Sequence, residues 1–158
     1  MTAFNIFLNF SAVFFVIYLA LVCGLYFFQR KLIYIPSNSM PSPAEVGVPE
    51  MRVIQVTAQD GVSLNFWYRA ACNNQPTIIY FHGNRGNLSG RSLKIRPYLD
   101  AGFGVLLAAY RGYGHNSGKP SESGLYSDAR IQLSFLKSRG RQSKDWILYG
   151  ESLGTGVV

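Results

Sequence analysis

Hydrophobic and polar positions along the chain fall into two regimes. Between residues 2 and 29 there is no charged side chain, and aromatic and aliphatic residues dominate 10–28. A helix needs about 20 apolar residues to cross the core of a bilayer, and this stretch meets that length. No basic residue precedes it, and it is longer than the apolar part of a cleaved signal peptide. Val22 also stands where processing at Cys23 as a lipoprotein would need a small residue. Residues 1–31 therefore read as an uncleaved membrane anchor with short flanks. Pro36, Pro41, Pro43 and Pro49 then exclude a helix or a central strand. Residues 32–50 are expected to be an extended linker lifting a domain off the bilayer.

Beyond residue 50 the periods shorten. Residues 52–56 and 62–68 alternate as strands do, and Gln59-Asp60-Gly61 between them predicts a hairpin turn. A polar turn, Asn73-Asn74-Gln75-Pro76, leads into 77–81, a continuous apolar run suited to a strand buried on both faces. The runs 104–109 and 146–149 read the same way. Between them, 88–99 predicts a helix with a basic outer side (Arg91, Lys94, Arg96). Residues 121–136 open with Ser-Glu-Ser-Gly and carry Leu125, Ala129, Leu133 and Leu136 at helical spacing. Alternating strands and helices predict an α/β domain over 51–158, its sheet mostly parallel with right-handed crossovers.

Composition adds limits. A length of 158 residues allows one domain plus an anchor. The excess of 15 basic over 8 acidic residues gives +7, but no compact polybasic run exists. Nucleic acid is therefore not an expected partner, and attraction to an anionic membrane surface is the better reading. Arg30 and Lys31 follow the apolar stretch and no Lys or Arg precedes it, which places the remainder of a single-pass protein in the cytoplasm. Cys23 and Cys72 suggest neither a disulfide framework nor a metal site.

The chemistry centres on Gly150-Glu151-Ser152-Leu153-Gly154, directly after the last apolar run. Glycines at 150 and 154 let a strand reverse sharply into a helix, because a side chain at either would meet neighbouring backbone. The hydroxyl of Ser152 is then held above the C-terminal edge of the sheet as a nucleophile. Phe81-His82-Gly83-Asn84 follows the first buried run just as directly. The backbone N–H of Asn84, with that of Leu153, would form an oxyanion hole, where one donor is typically worth on the order of 3 kcal/mol.

With Phe81-His82-Gly83-Asn84-Arg85-Gly86-Asn87, these residues resemble the α/β-hydrolase superfamily, as do Tyr110-Arg111-Gly112-Tyr113-Gly114, Ser117-Gly118 and Pro120-Ser121-Glu122. The best match is its membrane-anchored, bud-emergence-factor-like branch, over about 33–158. The resemblance implies a serine hydrolase acting on an ester, thioester or amide of a small molecule, lipid or protein, without metal or organic cofactor. Arg85 stands where many members carry a small residue, and Ala109 where many carry an acidic one. In that family the acid and the histidine follow the nucleophile, yet after Ser152 this chain has no Asp, Glu or His. The sequence thus reads as an N-terminal portion, inactive alone, needing a complementing C-terminal segment. A non-catalytic membrane protein, or a remnant of a disrupted hydrolase gene, is the alternative.

The remaining candidates have plainer readings. His82 would brace the oxyanion turn, and His115 would be a solvated loop residue. Asp128 is expected on a solvated helix face, Asp145 as a strand lead-in, and Lys137, Arg139, Arg141 and Lys144 at a solvated helix end, with contact to anionic lipid as the alternative for that basic group. Residues 112–119 superficially suggest a phosphate loop, but the glycine spacing is wrong and Pro120 replaces the metal-binding hydroxyl.

Overall fold

A computed structural model of the chain describes residues 3–72 and 74–158. The first two residues of the expected anchor and Asn73 of the expected polar turn lie outside the described residues. The chain separates after Ile33 into two units.

The first unit is one helix, α1 (Ala3–Ile33). Its stretch Phe7–Ile33 has a mean hydropathy of 2.3 and is long and apolar enough to cross a membrane. Phe10, Phe14 and Phe27 are each about three-quarters exposed, as on a helix that is apolar all round.

The second unit begins at Tyr34, so the proline-rich stretch is a strap on the domain and not a spacer. Its first piece, β1 (Ile35–Pro36), pairs in parallel with a short strand at 85–86. Val48 and Met51 are buried in the core. The prolines do forbid helix and central strand, but Val46, Val48 and Met51 supply enough apolar surface to tie the stretch down.

β2 (Arg52–Thr57) and β3 (Ser63–Arg69) form the expected hairpin, with Thr57 opposite Ser63 and Gly61 at φ +81° in the turn. β4 (Thr77–Phe81) is buried at every residue. The partner of β1 is β5 (Arg85–Gly86). A 3₁₀ turn, Leu88–Arg91, is capped by Asn87, whose side chain accepts from the Ser89 N–H, and leads into α2 (Ser92–Asp100). β6 (Gly104–Ala108) is buried throughout. α3 (Glu122–Ser138) starts where Ser121 accepts from the Gly124 N–H. β7 (Trp146–Gly150) completes the order β2-β3-β6-β4-β7, antiparallel on the β2–β3–β6 side and parallel across β6, β4 and β7.

Two readings need restating. The apolar run 146–149 reads as a buried strand in a full hydrolase sheet and as an exposed apolar edge in a chain that carries no strand beyond it. The second holds, since β7 is an edge strand with Ile147, Leu148 and Tyr149 each more than two-fifths exposed. Asp128 is not solvated. It is fully buried and held by Arg111, which donates through its backbone N–H (2.7 Å), Nε (3.0 and 3.1 Å) and Nη2 (2.7 Å). Burial raises the Asp128 carboxyl and the hydrogen bonds of Arg111 oppose that rise. Four residues along the same helical face, Gln132 receives the Ala109 N–H at 2.9 Å and donates to the Ala109 carbonyl at 2.8 Å.

Candidate active site

From β4 the chain passes to β6 on one side, then returns across β4 to β7 on the other. The loops after β4 and β7 therefore leave the same parallel edge side by side, since Phe81 is opposite Gly150. That is the place where open α/β sheets hold their ligands.

After Gly150 the strand stops, and a short 3₁₀ helix runs over Ser152–Gly156. Between them Ser152 takes φ +50°, a left-handed conformation that only Asn74 shares among the described non-glycine residues. Such a backbone costs on the order of 1–3 kcal/mol and persists only where its surroundings impose it. The surroundings are visible. A Cβ on Gly154 would lie 2.1 Å from the Phe81 carbonyl oxygen, and one on Gly150 would lie 2.7 Å from Thr155 Cα. Glu151 donates its N–H to that same Phe81 oxygen at 2.9 Å. The turn is thus pressed onto the end of β4, with the strain on the serine and both glycines there for close approach. Ser152 is exposed.

The turn after β4 lies against this bend. A Cβ on Gly83 would stand 3.5 Å from Ser152 Cβ and 3.4 Å from the Glu151 carbonyl oxygen. Asn84 comes next, and its carbonyl accepts from the Ile35 N–H (3.0 Å) and the Tyr113 hydroxyl (2.8 Å). The Tyr110 hydroxyl donates to the His82 carbonyl at 3.1 Å. Both tyrosines of the Tyr-Arg-Gly-Tyr-Gly stretch therefore fasten this turn. Ser152, Leu153 and the turn containing Asn84 are brought together; His115 is exposed, in a loop beside Met40 and Trp67.

One clamp was not foreseen. Arg91, expected on a solvated face, donates through Nη1 to the carbonyls of Arg85 (2.9 Å) and Asn87 (3.1 Å). Its Nη2 is 3.3 Å from Glu151 Oε1, and Lys94 Nζ is 3.1 Å from the same oxygen. The Tyr80 hydroxyl donates to Glu151 Oε2 at 2.5 Å. Burial works to raise the Glu151 carboxyl, but Tyr80, Lys94 and Arg91 outweigh it and hold it down at about 2. One guanidinium thus joins the loop after β4 to the bend after β7. The signal in the sequence was Glu151 itself, an acid beside the serine in need of a cation.

His82 is fully buried between the rings of Tyr110 and Tyr113, with centroids at 4.4 and 5.1 Å. Its Nδ1 lies 2.7 Å from the Gly83 carbonyl oxygen and donates to it, and Nε2 has no hydrogen-bond partner among the described residues. Burial brings the imidazole down to about 4. Its folded value is below the ordinary 6.5, so the stability this depression gives is complete above that pH and is lost as pH falls toward 4. Over that window the wild-type chain is expected to lose on the order of 2–3 kcal/mol more than a His82→Gln chain. Urea midpoints at several pH values check this; parallel pH dependences would refute it.

No protein-family model matches the chain. Curated proteins do, these three among them. Protein bem46 of Schizosaccharomyces pombe is 34% identical over 145 residues, which is 85% of this chain and 48% of that protein. An uncharacterized membrane protein of Saccharomyces cerevisiae is 36% identical over 141 residues, 84% of this chain and 49% of that one. The α/β hydrolase domain-containing protein WAV2 of Arabidopsis thaliana is 34% identical over 141 residues, 82% of this chain and 45% of its own. Among solved structures, an α/β hydrolase from Vibrio vulnificus superposes with a TM-score of 0.60 at 27% identity, covering 70% of this chain and 38% of that one. The chain spans about half the length of the curated relatives it matches. Matched in sequence and in sheet architecture alike, it belongs to the α/β-hydrolase superfamily, among relatives of the bem46 kind.

Proposed function

We propose that this chain carries the nucleophile and the oxyanion donors of a serine hydrolase that cleaves esters, thioesters or amides. The observation that carries the reading is Ser152 held at φ +50° on a bend pressed onto β4, with the Gly83 turn against its Cβ. Ser152 Oγ attacks the carbonyl carbon and gives its proton to a base. The carbonyl electron pair moves onto the oxygen, where the N–H groups of Asn84 and Leu153 receive it. Collapse expels an alcohol, thiol or amine, which takes that proton, and water then releases the acyl group.

The base and its acid come from residues outside these 158. Among the described residues His82 makes no bond through Nε2, and the Asp and Glu side chains are engaged elsewhere: Asp60 and Asp128 on Arg111, Glu50 and Asp100 on Arg96, Glu45 on Ser42, Glu122 on Tyr126, Asp145 on Gln142, and Glu151 in its clamp. A complementing segment of the length that the relatives have in addition would supply both. α1 anchors the protein in the bilayer, and Arg30 and Lys31 at its end favour a cytoplasmic domain.

A fluorophosphonate reagent with peptide mapping tests the reading in a chimera where this chain replaces the matched half of bem46. The chimera is expected to be labelled at Ser152 and the Ser152→Ala chimera not at all. A chimera that melts cooperatively yet resists the reagent would remove the nucleophile from the proposal. Labelling of Ser152 in the 158-residue chain alone would remove the need for an outside base.

A further inference from the structure

A second site lies at the other end of the sheet. Arg52, Arg69 and Arg139, with Glu50, Ile54, Tyr68 and Ala70, line a cavity of about 400 Å³. Arg69 is opposite Val105, which is opposite Ile78, while Phe81 marks the edge that holds Ser152. Three residues of strand, or about 10 Å, separate the two levels of the sheet.

The charges around this cavity do not balance. Its one carboxylate, Glu50, is bound to Arg96, which outweighs the effect of burial and keeps it below its ordinary value. Arg69 is fixed by donating to the carbonyls of Phe103 (2.9 Å) and Leu99 (3.4 Å) and to Cys72 Sγ (3.1 Å), none of them an anion. Arg52 has no ion pair or side-chain hydrogen bond among the described residues, and Arg139 only lies over the Phe135 ring at 5.1 Å. The Tyr68 ring packs edge-on against Phe135, and its hydroxyl has no hydrogen-bond partner among the described residues. Arg52 and Arg139 are exposed and Arg69 is half-buried, so solvent screens their mutual repulsion, and an anion with several oxygens between them would engage more than one fork.

We propose that this cavity binds a phosphate group, as a phosphate monoester in solution or as the headgroup of an anionic lipid. A guanidinium fork matches two phosphate oxygens at once, and phosphate has enough oxygens to engage more than one fork. The site stands apart from Ser152 and does not rest on the hydrolase reading.

The test uses the full chain in nanodiscs of neutral phosphatidylcholine, titrated with inorganic phosphate and, separately, exchanged into nanodiscs containing phosphatidic acid. Saturable binding is expected in at least one arm, read by calorimetry for phosphate and by the shift in thermal midpoint for the lipid. The Arg52→Gln/Arg139→Gln chain, which loses no hydrogen bond or ion pair of the fold, should bind roughly tenfold or more weakly. Ser152→Ala should bind as the wild type does. A response to phosphate assigns a soluble ligand, and a response to phosphatidic acid alone assigns a headgroup. Binding in neither arm, or equal binding by the double variant, overturns the site.

Discussion

Asp128→Ala is expected to lower the unfolding free energy of the domain by about 3–5 kcal/mol, because it leaves the Arg111 guanidinium buried without its main counter-charge. Asp128 is fully buried and Arg111 is about one-tenth exposed. The aspartate takes four hydrogen bonds from Arg111, one of them from its backbone N–H. Asp60 holds the same guanidinium at 2.7 Å, but its side chain is about half exposed. Solvent screens that pair, so Asp60→Ala should cost far less than Asp128→Ala. Urea unfolding of the full chain in nanodiscs measures both, since Trp67 and Trp146 are the two tryptophans of the chain and α1 has none. A loss below about 1 kcal/mol for Asp128→Ala would mean that Arg111 finds another partner or water. The consequence reaches the site, because Tyr110 and Tyr113, on either side of Arg111, fasten the turn that carries Asn84.

This pair also shows why a sequence gives up some contacts and hides others. The apolar run 77–81 announces a strand buried on both faces, and all its residues are buried. Ser121 announces a helix start, and it caps α3. These are local facts, set by neighbours within a few positions. Asp128 meets Arg111 across 17 positions, through a loop whose path depends on Gly112 at φ +77° and its bonds to Asn116 and Ser117. A trace was nevertheless present. Asp128 and Gln132 sit on the same stripe as Leu125, Ala129 and Leu136, so two polar residues faced the core and needed partners there.

The site divides in the same way. Gly150, Ser152 and Gly154 are legible because their spacing encodes a local backbone shape. The clamp of Arg91 on Glu151 is not, since its partners are 60 positions apart and a helical wheel of 88–99 places Arg91 among cations facing water. The packing of the strap at 34–40 is hidden from the sequence for a related reason. Proline states what a segment cannot be, and says nothing about whether the segment packs. Here Ile35 pairs beside Asn84, and the Ser37 carbonyl accepts the Gly114 N–H at 2.9 Å, so the strap helps hold the loops around Ser152.

Gly154→Ala should be the most damaging single methyl group in the domain. The added Cβ would stand 2.1 Å from the Phe81 carbonyl oxygen and 2.7 Å from its carbon. Neither can withdraw, because Phe81 ends a strand paired on both sides and its oxygen already accepts the Glu151 N–H. The bend after β7 must lift instead, breaking that bond and releasing the left-handed Ser152. Overpacking of this kind against backbone is expected to cost on the order of 4 kcal/mol, above the usual range for a methyl group in a core. Gly156→Ala is the control two positions away. Its Cβ would meet nothing within 4 Å and its φ is not left-handed. Its unfolding free energy should stay within about 0.5 kcal/mol of wild type, or rise slightly through the loss of unfolded-state freedom. In the bem46 chimera, Gly154→Ala should also lose fluorophosphonate labelling while Gly156→Ala keeps it. Equal midpoints and equal labelling for the two variants would mean that the bend tolerates a lift away from β4, and that the strained serine is not imposed by the close approach of Gly154.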